Sequence, residues 1–217
     1  MLLRYDAGMV LPTLTYEQRL WKNGRTHVAG VDEAGRGALA GPVVAAAAVF
    51  SQNGAKKLLK IVRDSKQLTE LAREQLYDKL ATTALAWEVG IISHRLIDRI
   101  NIANASLQAM RDAIRKLAIP PAHILLDGYF SPDALHRKFK GITIPCDCIV
   151  GGDAKVFSIA AASIIAKVTR DRIMRTLHQK HPRYGFLEHK GYGTALHYKA
   201  LREHGPCAIH RKSFFLG

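Results

Sequence analysis

Long apolar runs are missing from this sequence of 217 residues: no stretch approaches the roughly 18 consecutive apolar residues of a membrane-spanning helix. Residues 1–20 lack the compact apolar segment of a secretory signal, so a soluble, cytoplasmic protein is the expectation. Cysteine is scarce. Cys146 and Cys148 stand two apart in a β-prone stretch and Cys207 stands alone near the end, an odd and small number that points to reduced, structural thiols. Metal binding by the Cys146/Cys148 pair is not expected, because no further Cys or His stands at ligand spacing beside it. Repeats and low-complexity tracts are absent, and so is the phosphate-cradling pattern Gly-x-x-x-x-Gly-Lys-Ser/Thr. Acidic residues are in deficit: 18 Asp and Glu face 32 Lys and Arg, with ten His besides, for a net charge of +14.

A hydrophobic content of 48% suffices to bury a sizeable core, as one domain with a small appendage. The positive surplus makes a polyanion the natural partner. It is concentrated at one end: residues 167–217 hold eleven Lys or Arg against Asp171, Glu188 and Glu203, so +8 of the +14 lies there. A strip for phosphates accounts for that concentration; a basic surface serving solubility is the alternative.

Residues 27–31 form a short β-prone run ending at Asp32, and residues 42–50 a second, almost wholly apolar run. Two strands joined by a tight glycine-bearing turn follow from this. Leu68, Ala72, Leu76 and Leu80 recur every four positions and predict a helix, whereas Leu85, Trp87, Val89 and Ile91 alternate and predict a third strand. Leu107, Met110, Ile114 and Leu117 mark another helix, stopped by Pro120 and Pro121, and residues 124–126 form a short strand running into Asp127. Residues 142–149 read as a fifth strand, with Pro145 placing it at a sheet edge. An amphipathic helix is predicted over 157–178, with Ile165, Thr169, Ile173 and Leu177 in one line, followed by short helix and loop. This order of elements predicts an α/β fold, a mixed sheet with helices on its faces.

Four acids stand where charge is unusual. Asp32 and Glu33 end one apolar strand, Asp127 ends another, and Asp153 follows two glycines ahead of the long helix. An unpaired buried carboxylate is costly, so acids in such places are paired, capping, or bound to a cation. Each has a plain reading: a salt bridge to Arg36 for Asp32 and Glu33, a turn for Asp127, a helix cap for Asp153. Convergence is the sharper one. If the strands carrying Asp32 and Asp127 are parallel neighbours, their ends lie side by side, where open sheets place their sites. Hard divalent cations take oxygen ligands, and two of them about 3.5–4 Å apart clamp the attacking and leaving oxygens of phosphoryl transfer. Gly35-Arg36-Gly37 follows directly; its glycines either let backbone N–H groups approach a sugar or phosphate or form an ordinary hairpin turn.

The segment Gly30-Val31-Asp32-Glu33-Ala34-Gly35-Arg36-Gly37, followed by Leu39-Ala40-Gly41-Pro42-Val43-Val44, resembles the opening signature of ribonuclease HII. Further blocks similar to that family's follow in order: Asp64-Ser65-Lys66-Gln67-Leu68, Leu125-Leu126-Asp127-Gly128, Gly151-Gly152-Asp153, the run from Ala161 to Asp171, His189-Lys190-Gly191-Tyr192-Gly193-Thr194 and His210-Arg211-Lys212-Ser213-Phe214. The likeness spans residues 28–214. It implies a ribonuclease H-like mixed five-stranded sheet flanked by helices, with a small C-terminal helical substrate-binding segment. On this basis residues 1–27 form an N-terminal extension, 28–180 the catalytic domain and 181–217 the small basic segment.

The resemblance further implies a monomeric endonuclease that hydrolyses the RNA strand of RNA/DNA hybrids with two divalent ions, Mg2+ or Mn2+. Asp32, Glu33, Asp127 and Asp153 would be their ligands, Asp32 shared between them. Gly35, Arg36 and Gly37 would sense the 2′-hydroxyl of a ribonucleotide and Tyr192 would pack against the following deoxyribose. Cuts 5′ to single ribonucleotides in duplex DNA would follow, leaving a 3′-hydroxyl and a 5′-phosphate. Ser65, Lys66, Ser163, Lys190 and Arg211 match positions of phosphate contact. Plainer roles stand beside these: packing for Ser163, solvated charge for Lys66 and Lys190, a core aromatic for Tyr192.

Two departures stand out. Ala38 occupies a position where the family often has proline, which loosens the turn without removing a ligand. The chain ends at Gly217 where longer members carry extra structure, which leaves a sliding-clamp tether open. The sister family ribonuclease HIII departs from Gly-Arg-Gly and replaces the fourth aspartate by glutamate, so Arg36 and Asp153 favour HII. A junction resolvase or transposase core, a non-catalytic nucleic-acid-binding module and a nucleotide-cradling enzyme are the competing readings.

Overall fold

The computed structural model of the protein describes residues 11–62, 68–129, 139 and 141–217. At its centre stands a five-stranded sheet in the order β3-β2-β1-β4-β5. The strands are β1 (Val28–Ala34), β2 (Val43–Val49), β3 (Ala86–Ile92), β4 (His123–Asp127) and β5 (Cys146–Ile149). The first three pair antiparallel, whereas β1, β4 and β5 run parallel. Every residue of β2 is apolar and buried, because helices cover both faces of the sheet. Side chains alternate between two cores: Val28, Ala46, Ala48 and Leu125 join one, and Ala29, Val31, Ala47 and Leu126 the other.

On the first face lies α6 (Phe157–Lys180), and on the second α5 (Ile102–Lys116). Both approaches depend on a missing side chain. A Cβ on Gly30 would stand 2.0 Å from the carbonyl carbon of Ser158, and one on Gly90 would stand 2.0 Å from the carbonyl oxygen of Ala109. The core around α6 is completed by α1 (Thr15–Lys22), α2 (Gln52–Leu58) and α3 (Glu70–Thr83), and α4 (His94–Ile100) adds Ile97 to the α5 side. A third, smaller cluster joins Leu39, Ala40 and Met174 to α7 (Phe186–His189) and α8 (Ala195–His204).

Several elements differ from the sequence expectation. Helices α1, α2 and α4 have seven or eight residues each, too few for a repeat to register, although serine caps mark two of them: Ser51 Oγ accepts from Gly54 N–H and Ser93 Oγ from Leu96 N–H. Residues 11–27 enter the core through Leu14, Leu20 and Trp21. Glu17 of α1 is buried, and its Oε1 accepts the Ser158 N–H at 2.8 Å, satisfying an open amide at the start of α6. Rather than amphipathic, the first ten residues of α6 are buried all round, since elements pack on its far side as well as on the sheet. β5 does occupy an edge but is shorter than expected. Pro145 precedes it, and its carbonyl still accepts from Ile124 N–H at 2.9 Å. No helix among the described residues is long and apolar enough to cross a membrane.

Candidate active site

β1 and β4 lie side by side, with β1 running on past Asp32 to Ala34 along β2. Their register pairs Val31 with Leu126, and the next step brings Asp32 beside Asp127 at the C-terminal ends of two parallel strands. Asp32 is buried; its Oδ1 accepts the Glu33 N–H at 2.7 Å, and the Ser163 hydroxyl on α6 hydrogen-bonds to it. Burial pushes the Asp32 carboxyl well above the usual range. The negative charges of Glu33 and Asp127 push the same way, opposed by the bonds from Ser163 and Glu33. Glu33 is raised too, first by burial, while Arg36 opposes with Nη1 3.4 Å from Oε1.

Asp153 arrives from the other side of Asp127. After β5 the chain turns at Gly151, in the left-handed conformation, into a tight helical turn at Gly152–Ala154. Gly152 N–H donates to Asp127 Oδ1 at 2.7 Å, which draws the two segments together. Asp153 is not the cap of α6, which starts four residues later behind Val156. Asp32, Glu33, Asp127 and Asp153 thereby line one cleft of about 260 Å³. Among the described residues no three His, Cys, Asp or Glu already enclose a single point as a finished coordination shell. The donor chemistry nevertheless fits divalent cations: oxygen ligands only, poorly solvated and mutually repelling, so that positive charge would relieve the strain on Asp32. A larger cavity, about 800 Å³, lies beside β5, but its acid Asp147 is already held by Arg19 and His123.

Gly35, Arg36, Gly37, Ser163, Lys167 and Tyr192 complete the cleft. Gly35 is demanded by the fold: its φ is +91°, and a Cβ there would lie 1.9 Å from Arg170 Nε. Gly37 is not, for a Cβ would meet nothing within 4 Å. Tyr192 is half-buried rather than a core aromatic, with Lys167 Nζ 5.6 Å and Arg170 Cζ 5.2 Å from its ring centre. Isolated antiparallel bridges join Ala38 to Tyr192 and Ala40 to His210, so the β1–β2 connection is gripped from both sides.

Two expected phosphate contacts have other duties. Arg211 is completely buried, donating from Nε to Gly41 O at 3.0 Å, from Nη1 to Arg36 O at 2.9 Å, and from Nη2 to Gly35 O at 2.7 Å and Pro42 O at 3.1 Å. It shapes the turn instead of reaching a phosphate. Burial, with the Arg170 charge nearby, pushes it down to about 9. Lys190 is likewise buried, its Nζ 3.4 Å from Glu70 Oε2 and bonded to Leu187 O, so it ties α3 to the Tyr192 loop. Ser65 and Lys66 lie outside the described residues.

Sequence reasoning missed Lys167 and Arg170. Lys167 faces the cleft and pairs with Asp171 at 2.8 Å. Arg170, fully buried, donates to Pro42 O, Lys190 O and Ala40 O. The signal was the spacing of Ser163, Lys167 and Arg170, which puts all three on one side of a helix.

A family model described as Ribonuclease HII matches residues 29–216. Ribonuclease HII of Geobacter metallireducens is 50% identical over 200 residues, covering 92% of this chain and 89% of that protein. The crystal structure of ribonuclease H2 from Pyrococcus horikoshii superposes with a TM-score of 0.75 at 32% identity, covering 88% of this chain and 94% of that one. Bst ribonuclease HIII in complex with Mn2+ superposes with a TM-score of 0.74 at 21% identity, over 88% of this chain and 68% of that one, a likeness of fold alone. Fold and cleft together define a metal-dependent endoribonuclease with a ribonuclease H-like sheet. The chain belongs to the ribonuclease HII family, and that membership implies cleavage of the RNA strand in RNA/DNA hybrids.

Proposed function

We propose that this chain cuts long RNA/DNA hybrids and also cuts 5′ to single ribonucleotides embedded in duplex DNA, leaving a 3′-hydroxyl and a 5′-phosphate. One observation carries the reading: acids from β1, β4 and the turn before α6 line the same cleft as Gly35, Arg36, Gly37 and Tyr192. Asp32, Glu33, Asp127 and Asp153 would hold two divalent ions, Mg2+ or Mn2+, with Asp32 as the ligand in common; a ribonuclease HIII of similar fold is known in complex with Mn2+. Bound there, the ions supply positive charge against the oxygens that attack and leave.

The chain's own residues do the rest. Ser163 orients Asp32 through its hydroxyl, and Lys167 keeps a cation beside the cleft. Gly37 is spared a side chain that the fold itself would accept, which supports close approach of a ribose and its 2′-hydroxyl to the Gly35-Arg36-Gly37 backbone. Tyr192, its ring held by two cations, packs against the following deoxyribose. Residues 28–180 act as the catalytic domain of a cytoplasmic monomer, residues 1–27 precede it, and the basic segment 181–217 follows phosphates.

The test is cleavage of a labelled DNA duplex carrying one ribonucleotide, with and without Mg2+, beside an all-DNA duplex and a long hybrid. A metal-dependent single cut 5′ to the ribonucleotide is expected. Cutting of all-DNA duplex overturns the reading, and cutting of long hybrids alone removes the roles given to Gly35, Arg36, Gly37 and Tyr192.

A further inference from the structure

The segment carrying Tyr192 rests on three buried histidines that the chemistry does not use. His189 ends α7, His197 lies in the first turn of α8, and His210 precedes Arg211. Their hydrogen bonds determine where each proton sits. Cys207 N–H donates to His210 Nδ1 at 2.9 Å, closer than the 3.3 Å between that nitrogen and Cys207 O, which favours a neutral ring with its proton on Nε2, 3.0 Å from His197 Nε2. His197 accepts there, which leaves its own proton on Nδ1, donated to the Tyr192 carbonyl at 3.0 Å. Separately, Gly191 N–H donates to His189 Nδ1 at 3.1 Å, and His189 Nε2 donates to Tyr184 O at 2.7 Å. A single set of neutral tautomers satisfies all of these hydrogen bonds.

The geometry closes a ring of contacts around the substrate-sensing turn. Ala38 bridges to Tyr192 and Ala40 bridges to His210, while His197 joins Tyr192 to His210. His189 and His197 stack with ring centres 4.3 Å apart and planes at 14°, so the groups holding Gly191 N–H and Tyr192 O are packed on one another. Thr194 N–H also reaches the Tyr192 carbonyl, at 2.8 Å, but belongs to the same turn and cannot tie it to anything else. Charged or titratable neighbours are Glu188 and Lys190 beside His189, and His181, Cys207 and Arg211 beside His210; Glu188 is exposed.

We propose that His197 positions Tyr192 for ribonucleotide selection by holding the Tyr192 carbonyl through Nδ1–H, while the His210 contact at Nε2 sets the tautomer that puts the proton there. The proposal rests on the role given to Tyr192 above. Two substitutions separate the halves of the His197 ring. His197→Asn places an amide N–H where Nδ1 stands and keeps the bond to Tyr192 O, whereas His197→Gln reaches the Nε2 position and leaves that carbonyl without it.

The readout is the ratio of kcat/KM for a single-ribonucleotide duplex to kcat/KM for a long RNA/DNA hybrid, with Tyr192→Ala setting the scale. We expect His197→Asn to keep the ratio within about twofold and His197→Gln to lower it about tenfold, the effect of losing one buried hydrogen bond. If Tyr192→Ala lowers the ratio but the two His197 variants behave alike, the proposal is overturned while the role of Tyr192 stands. If Tyr192→Ala leaves the ratio unchanged, both fall. Nitrogen-15 NMR of the unaltered protein serves where a variant fails to fold: Nδ1–H on His197 with Nε2–H on His189 and His210 supports the chain, and any other tautomer set overturns it.

Discussion

Arg211 Nη2 lies 2.7 Å from the carbonyl oxygen of Gly35, a residue 176 positions earlier in the chain, so the last segment of the molecule shapes the turn beside the acids of the cleft. The planar fork of the guanidinium meets four carbonyls of that turn, which no other side chain can match in number and direction. Arg211→Lys therefore leaves buried carbonyls unpaired, at about 2–4 kcal/mol of stability. Urea denaturation reads the loss, and cleavage falls with it. An Arg211→Lys variant as stable and active as the parent contradicts the assignment.

Glycines 30 and 37 separate folding from function. Gly30→Ala drives a methyl into the Ser158 backbone, where α6 lies on β1, and costs about 3 kcal/mol or blocks folding. Gly37→Ala meets no atom of the protein and shifts stability by less than about 0.5 kcal/mol. Its cleavage of a single-ribonucleotide duplex nevertheless drops strongly. Equal melting temperatures with unequal activities are the expected pattern; an unimpaired Gly37→Ala enzyme rejects a close approach of substrate there.

Asp32→Asn abolishes catalysis and stabilises the ion-free protein. The carboxylate it removes is buried against Glu33 and Asp127, so a neutral amide relieves desolvation and repulsion together. A gain of about 1–2 kcal/mol in chelator is expected, with turnover down at least about a hundredfold and duplex affinity retained, since affinity comes from the basic surface. Calorimetry in chelator, beside a binding titration, checks the two halves independently.

Acid weakens the C-terminal segment through its histidines. Burial holds His189, His197 and His210 below the ordinary range, His210 down to about 4. A depressed folded-state value favours the neutral ring, so the associated stability is present above the unfolded value of about 6.5 and lost as pH falls toward about 4. His210→Gln removes this dependence at one site and should flatten the decline by about 2 kcal/mol across that interval. Parallel stability curves for the two proteins between pH 6.5 and 4 would falsify the prediction.

Much of this was readable in the chain beforehand. The alternation in β3, the unbroken apolar run of β2 and the four-residue spacing in α3 follow from local geometry, and the acids ending β1 and β4 were conspicuous because charge is rare at the end of a buried strand. The burial of Arg211 and Lys190 was not legible. A cation buried among backbone carbonyls has the same letters around it as a cation reaching for phosphate. Short helices such as α1 and α4 escaped notice because two turns hold too few residues to show a period.

The sequence by itself determined most of the strands, the long helices, the family and the four candidate acids, since each depends on neighbours in the chain or on an ordered series of motifs. Only the tertiary structure decided which polar side chains face the cleft and which are consumed in holding the turn. That choice rests on direction and burial: Arg170 and Arg211 point inward at backbone carbonyls from α6 and from the C-terminal segment, and nothing local to either residue records the carbonyls they meet.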